Sequence, residues 1–159
     1  MKTTGKVVIG VIVCLLVVLG VIRITGLEPH NRIPGLWLKG QLVTAPVNDW
    51  SFTDRVPQIH LQTETWYLLP HSVTINCIAY DHQLYVASVY PGHGLRTWND
   101  DVMRYPRVRI QIGRQLYDRR LSLVTDPVEK EAVLQARAKK YPLLKTPADA
   151  TIRIFRVIG

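Results

Sequence analysis

The residues best suited to bind an anion lie in a short segment, YPGHGLRT, at positions 90–97. Gly92 and Gly94 would let backbone amides approach a ligand closely, because glycine has no side chain. Arg96 adds a guanidinium that can donate two hydrogen bonds to one phosphate. A helix predicted to begin near Thr97 adds its positively polarised N-terminus. The pattern indicates a phosphate site, and an ordinary exposed loop with two glycines has the same pattern.

Residue spacing gives little support to other kinds of chemistry. No two of the five histidines have the spacing of helical metal ligands, and the sequence has no Cys-x-x-Cys. Ser72 and Ser88 lack the G-x-S-x-G frame of a nucleophilic serine. Cys77 falls in an apolar strand pattern, where a thiol is usually part of the core. We therefore expect no metal centre and name no catalytic residue.

A cluster of basic residues lies between positions 104 and 120. Its members are Arg104, Arg107, Arg109, Arg114, Arg119 and Arg120. Strand alternation would place Arg107 and Arg109 on one face of a sheet, without the aromatic residues that stack on bases. Despite the formal net charge of +8, we expect no nucleic acid partner. A solvated face, a dimer contact and attraction to anionic lipid headgroups all remain compatible with the cluster.

An apolar segment dominates the N-terminus of the 159-residue chain. Residues 7–22 are all apolar or glycine, and flanking residues extend the segment to the ~20 residues that cross a bilayer. A cleaved signal peptide has a similar pattern, but positions 20–27 (GVIRITGL) contain no A-x-A-like cleavage site. We therefore predict a transmembrane anchor at residues 1–27, in contact with the lipid bilayer through residues 4–27.

Weaker sequence signals indicate which side of the membrane the remaining chain occupies. Lys2 and Lys6 precede the apolar segment, while Arg23, Arg32 and Lys39 follow it. Long domains cross a membrane largely regardless of charge, and a very short basic N-terminal tail usually stays inside. We predict a single-pass protein of the cytoplasmic membrane with its domain on the extracytoplasmic side.

The remaining chain is predicted to form one mainly β domain, at 56–159, after a linker and extended lead-in at 28–55. The lead-in should pack Trp50 and Phe52 onto the core. Turn residues stand at Asp81-His82 and Gly113-Arg114, and Asp126 can cap a helix over 127–140. A shorter helix is expected to begin at Thr97. The alternating patterns predict strands at 56–63, 72–80, 83–89, 107–112, 115–125 and 151–158.

Three stretches carry a resemblance to a known family. LPHSV at 69–73 leads to LYVAS at 84–88, WNDDV at 98–102 leads to YPRV at 105–108, and residues 113–141 end in Lys-Tyr. Their order and spacing are similar to the split β-barrel of pyridoxamine 5′-phosphate oxidase-like flavin proteins and deazaflavin-dependent nitroreductases. The resemblance covers about residues 56–141 and implies a split β-barrel (FMN-binding-like) with two short helices, which pairs as a homodimer.

The resemblance also implies a cofactor, FMN or a deazaflavin, held at the dimer interface. The candidate cofactor-binding residues are His71, Ser72, Ser88, Arg96, Thr97 and Trp98. Two positions depart from the family pattern. Leu68-Leu69 stands where flavin-binding members commonly have Gly-Arg or Gly-Lys, and Asp101 stands where Asn is expected.

Two functions follow from this resemblance. The first is a membrane-anchored flavin or deazaflavin-binding oxidoreductase that acts on a quinone or another small acceptor. Its cofactor would supply the chemistry, so the chain needs no acid–base pair. The second is a cofactor-free accessory subunit or binding module of a membrane protein complex. Leu68-Leu69 and Asp101 favour the second function.

Overall fold

A computed structural model describes residues 2–91, 98–147 and 149–159. Within these ranges the helices are α1 (Lys2–Thr25), α2 (Trp98–Arg104) and α3 (Pro127–Lys140), with a 3-10 helix at Ser51–Arg55. The strands are β1 (Gln41–Leu42), β2 (Ile59–Thr63), β3 (His71–Ile75), β4 (Cys77–Tyr80), β5 (Gln83–Pro91), β6 (Arg107–Ile112), β7 (Gln115–Leu123) and β8 (Ala150–Ile158). The predicted mainly β fold is confirmed.

The strands form one curved sheet in the order β3-β2-β6-β7-β8-β5-β4, and β1 pairs in parallel with β7. The predicted single strand at 72–80 is wrong, because β3 ends at Ile75 and β4 begins at Cys77. Since β3 pairs with β2 and β4 pairs with β5, the chain bends at Asn76 to leave one partner and join another. The two edges of the sheet thus meet at Asn76, and the sheet curves into a barrel.

The interior of the barrel is filled from the sheet and from α2. Leu61, Ile110 and Phe155 are fully or almost fully buried there. From α2, Trp98 and Val102 join the same cluster, and the Trp98 ring centroid lies 5.6 Å from that of Phe155. Helix α2 therefore closes one end of the barrel.

Helix α3 begins as the sequence predicted. The Asp126 carboxylate accepts hydrogen bonds from the backbone amides of Val128 and Glu129, each at 3.2 Å, and Pro127 occupies the first helical position, where no amide is needed. Val133 buries the inner face of α3 against the outer face of the sheet, beside Tyr85 and Ile154. The helix thus covers one side of the barrel.

One carboxylate ties α3 to the sheet. Glu129 accepts hydrogen bonds from Tyr85 Oη at 2.8 Å and from Arg156 Nε at 2.9 Å, and Arg156 Nη2 contacts its second oxygen. Burial raises the pKa of Glu129, but the hydrogen bonds from Arg156 and Tyr85 outweigh burial and place the pKa below its ordinary value of 4.5. The ionised carboxylate therefore stabilises the folded state above about pH 4.5.

We expect Glu129→Gln to lower the free energy of unfolding at pH 7 by about 1–2 kcal/mol, because hydrogen bonds to a charged acceptor become bonds to a neutral one. The difference should shrink below pH 4, since protonation then weakens the wild-type contacts as well. Unfolding of the detergent-solubilised chain at both pH values measures this. The control is Glu131→Gln, an exposed residue of the same helix, and equal losses in the two variants would contradict the assignment.

The lead-in packs closely against the sheet. Leu38 is buried, its amide donates to Gln62 Oε1 at 2.8 Å, and Gly35 pairs with the backbone of Ser72. Trp50 is buried in the core as predicted, whereas Phe52 stays half exposed and stacks on Trp50. The predicted linker is therefore held against the barrel along part of its length.

Helix α1 is long and apolar enough, by length and composition, to cross a membrane over Gly5–Thr25. Its end contacts the lead-in, since the Arg23 guanidinium lies 5.8 Å from the centre of the Trp37 ring. The amide of Leu27 also donates to the carbonyl of Trp37 at 3.0 Å. These contacts place the end of α1 beside the barrel.

Candidate functional site

Two of the predicted cofactor-binding residues lie at the end of the barrel that α2 closes. His71 begins β3 on the same strand face as Val73, which packs against the core. Its Nδ1 atom lies 3.9 Å from an Asp101 carboxylate oxygen of α2. The contact brings the start of β3 against α2.

Ser88 reaches the same end of the barrel from β5. It shares a strand face with buried Val86 and pairs in register with Arg153 of β8. Arg153 Nη1 donates to Asn99 Oδ1 at 3.0 Å and lies 3.7 Å from Asp100 of α2. The acidic start of α2 is thus offset in part by a fixed cation. His71, Ser88 and Arg153 form what we call the α2-end cluster.

Ser72 does not belong to the α2-end cluster. Neighbouring residues of a strand point to opposite faces, so Ser72 faces away from His71. It is 0 % exposed, its backbone pairs with Gly35, and its hydroxyl has no hydrogen-bond partner among the described residues. A side chain at Gly35 would collide with the carbonyl of Leu27 and with the Ser72 hydroxyl. The lead-in therefore covers Ser72 on the strand face opposite to His71.

The remaining predicted residues fall at the start of α2. Trp98 is 8 % exposed and packs in the core. Residues 92–97 lie outside the described residues. They include Arg96 and Thr97, the residue predicted to cap the helix. The residues that flank this stretch, Pro91 and Trp98, belong to β5 and α2.

Cys77 forms part of a structural contact elsewhere in the domain. It is fully buried, and burial raises the pKa of its thiol. Lys140 Nζ donates to the carbonyls of Thr53 at 2.7 Å and Cys77 at 2.9 Å, while Tyr141 Oη donates to the Cys77 carbonyl at 2.7 Å. The end of α3 therefore fixes the backbone where the strand bends. The described residues contain no cluster of three metal-ligating side chains.

Comparisons with protein-family models and with curated proteins give no match to the sequence. Comparison with solved structures gives several. An F420-H2 dependent reductase matches with a TM-score of 0.50 at 20% identity, over 64% of this chain and 94% of that one. A candidate pyridoxamine 5′-phosphate oxidase from Listeria innocua matches with a TM-score of 0.50 at 16% identity, over 68% of this chain and 87% of that one.

A third solved structure, described as a domain-swapped dimer, matches with a TM-score of 0.51 at 20% identity, over 64% of this chain and 80% of that one. Identities of this size carry information about the fold and leave cofactor and activity open. The chain therefore has the split β-barrel fold that pyridoxamine 5′-phosphate oxidase-like proteins and F420-H2 dependent reductases share.

Proposed function

We propose that the protein is a membrane-anchored oxidoreductase that binds a flavin or a deazaflavin and reduces a quinone or another small acceptor. One observation carries the proposal. The three residues of the α2-end cluster, His71, Ser88 and Arg153, lie at the end of the barrel where β5 ends and α2 begins. Residues 92–97 connect these two elements and include Arg96. The likeness to an F420-H2 dependent reductase supports the proposal at the level of fold.

The chain's own residues would bind and orient the cofactor. Arg96 would hold a phosphate with its fork of donors, and Arg153 would add positive charge. His71 and Ser88 would offer further polar contacts, while Trp98 would fix α2 through the core. When bound, the flavin or deazaflavin would supply hydride transfer.

The position of α1 supports an acceptor taken from the bilayer. Tyr105, directly after α2, lines a groove together with Trp37 and Trp66. Trp37 in turn contacts Arg23 at the end of α1. The α2 end of the barrel thus lies beside the end of the proposed anchor, which would place the reaction next to lipid. We propose that the domain lies on the extracytoplasmic side of the cytoplasmic membrane.

A second function is favoured by a specific observation. Three of the predicted cofactor-binding residues, Ser72, Ser88 and Trp98, are only 0–8 % exposed. Side chains that the protein itself covers cannot readily contact a cofactor. Their burial therefore favours a cofactor-free accessory subunit or binding module of a membrane complex. Cofactor binding by the purified chain separates the two functions.

We expect Arg96→Ala to weaken binding of FMN or F420 ten-fold or more, because a charge-assisted hydrogen bond contributes about 1.5–3 kcal/mol. Arg96→Lys should recover part of the affinity, since the charge survives and the fork is lost. Arg55→Ala serves as the control, because Arg55 is exposed in the 3-10 helix Ser51–Arg55, which lies beside the Asp81-His82 turn at the other end of β5 from residues 92–97. Fluorescence titration measures all three, and equal affinity in wild type and Arg96→Ala would remove the phosphate site.

We also expect a homodimer. Members of the resembling family pair across a two-fold axis, and a similar solved structure is described as a domain-swapped dimer. Light scattering of the detergent-solubilised chain, corrected for bound detergent, should give twice the 18.1 kDa of one chain. A single-chain mass at tens of micromolar protein would contradict the dimer.

A further inference from the structure

A groove of about 550 Å³ lies on the outer face of the sheet. Its basic lining residues are Arg23, Arg107, Arg109, Arg119 and Arg120, and we call it the arginine groove. The acidic side chains that line it are Asp118 and Glu64, so positive charge is in excess. A cavity of this size lies within the range of small-ligand sites.

Two arginines of the groove face each other, and neither has a counter-ion within the described part of the chain. Arg107 of β6 and Arg120 of β7 are register partners, and both are exposed. Like charges directly opposite each other on neighbouring strands destabilise a sheet. Among the described residues neither has an ion pair or hydrogen bond through its side chain. An anion between the two guanidiniums would relieve their repulsion.

The next pair along the same two strands is already neutralised. Arg109 donates to Asp118 through Nε at 2.6 Å and Nη2 at 2.8 Å. Hydrogen bonding to Arg109 lowers the pKa of Asp118, so this pair stays ionised at neutral pH. The contrast with Arg107 and Arg120 shows where the free positive charge of the groove is concentrated.

Arg119 differs from the other arginines of the groove, because its guanidinium packs on buried aromatic rings. Its guanidinium lies 5.7 Å from the ring centres of both Trp50 and Tyr117, and Nη1 donates to the Asp118 carbonyl at 2.8 Å. Its Nη2 atom is buried and has no hydrogen-bond partner among the described residues. Arg119 alternates with Arg120 along β7 and therefore faces the opposite side of the sheet, so we assign it no part in binding an anion.

The groove lies at the end of the proposed membrane span. Arg23, in the last turn of α1, lines it together with Trp37. Trp37 also lines the neighbouring groove with Trp66 and Leu68. The side chains of Trp66 and Leu68 are 60 % and 92 % exposed, and tryptophan is enriched at membrane–water interfaces. Basic, aromatic and apolar side chains thus share the face of the domain beside α1.

We propose that the arginine groove binds the headgroup phosphate of an anionic phospholipid in the leaflet from which α1 emerges. Arg23, Arg107 and Arg120 hold the phosphate, and Trp66 and Leu68 rest in the interface beside it. This binding fixes the domain on the membrane surface with its α2 end near the lipid. The inference rests on the membrane anchoring of the proposed function and is independent of its cofactor.

The test uses the full-length chain in a neutral detergent with added phosphatidylglycerol or phosphatidylcholine. At about ten times its dissociation constant, phosphatidylglycerol should raise the melting temperature by roughly 3–6 °C, and phosphatidylcholine should not. Native mass spectrometry counts the bound lipid. Arg107→Gln/Arg120→Gln should weaken phosphatidylglycerol binding at least ten-fold. Arg55→Gln/Lys139→Gln removes the same charge from exposed positions outside the groove and should bind within two-fold of wild type.

Three results would overturn the assignment. The first is equal loss of phosphatidylglycerol binding in the two double variants, which would reflect net charge alone. The second is equal stabilisation by both lipids. The third is equal stabilisation by inorganic phosphate at the same concentration, which would identify a soluble anion as the ligand. Single variants at Arg107 and Arg120 provide the measurement if the double variant does not fold.

Failure of the proposed function gives a different pattern. A wild-type chain that binds neither FMN nor F420 but still binds phosphatidylglycerol would disprove the oxidoreductase and leave the arginine groove assigned. Release of the wild-type chain from membranes by alkaline wash would disprove the anchor. Because the proposal places the lipid in the leaflet from which α1 emerges, this release would overturn that placement even if phosphatidylglycerol still bound in detergent.

Discussion

The full-length chain is expected to remain in the membrane pellet after high-salt and alkaline washes. The reason is the apolar helix Gly5–Thr25. Over most of its length, its side chains are exposed and are not buried against the rest of the domain. In a bilayer these side chains would be buried in hydrocarbon, which removes their apolar surface from water. Peripheral attachment through charge alone would be reversed by salt.

A paired substitution makes this prediction quantitative. Ile12→Arg/Leu16→Arg places two charges near the middle of the helix, at about 2.5–3.5 kcal/mol each on insertion scales. The variant should shift largely into the soluble or aggregated fraction, whereas Ile12→Ala/Leu16→Ala should stay in the pellet. A wild-type chain that appears in the supernatant with a shortened N-terminus would show a cleaved signal peptide and contradict the anchor.

Trp98→Ala is expected to lower the free energy of unfolding by about 3–5 kcal/mol, the scale of deleting a large aromatic side chain from a packed core. The Trp98 side chain is buried and packs against Phe155, where it holds α2 in the end of the barrel. Removing it would leave a cavity and loosen α2. The α2-end cluster depends on that helix through Asn99 and Asp101.

The control lies on the same helix. Met103 is 53 % exposed, so Met103→Ala should change the free energy of unfolding by less than about 0.5 kcal/mol. Thermal unfolding of both variants in detergent measures the difference. A Trp98→Ala variant with wild-type stability but reduced flavin affinity would instead identify Trp98 as a cofactor contact with no role in the core.

Local signals in the sequence predicted the elements whose ends are set locally. Asp126-Pro127 predicted the start of α3, and the structure shows both cap hydrogen bonds. Asp81 and His82 predicted a tight turn, and their positive φ values of 47° and 60° fit a two-residue hairpin of this kind. In both cases the residues that decide the geometry are neighbours in the chain.

The bend at Asn76 could not be read from the local pattern. Val73, Ile75, Cys77 and Ala79 alternate without interruption, so the sequence predicts one continuous strand. The break arises because β3 and β4 pair with different strands at opposite ends of the sheet order. Closure of the barrel decides this, and closure depends on contacts distant in sequence.

Some features of the candidate site follow from the local sequence pattern, and others depend on contacts distant in sequence. Alternation alone places His71 and Ser72 on opposite faces of a strand, so their separation could have been predicted once the strand was assigned. Arg153 was missed, because its partner Asn99 is 54 residues away and no motif links them. The positions of Arg96 and Thr97 remain predictions from sequence.

The absorption spectrum of the full-length chain, purified in detergent and then titrated with FMN and with F420, tests the central claim most directly. A bound flavin or deazaflavin absorbs between about 350 and 500 nm, where the bare chain does not. We predict saturable binding of one of the two cofactors, weakened at least ten-fold by Arg96→Ala. A colourless protein that binds neither cofactor would contradict the oxidoreductase and favour the cofactor-free accessory subunit.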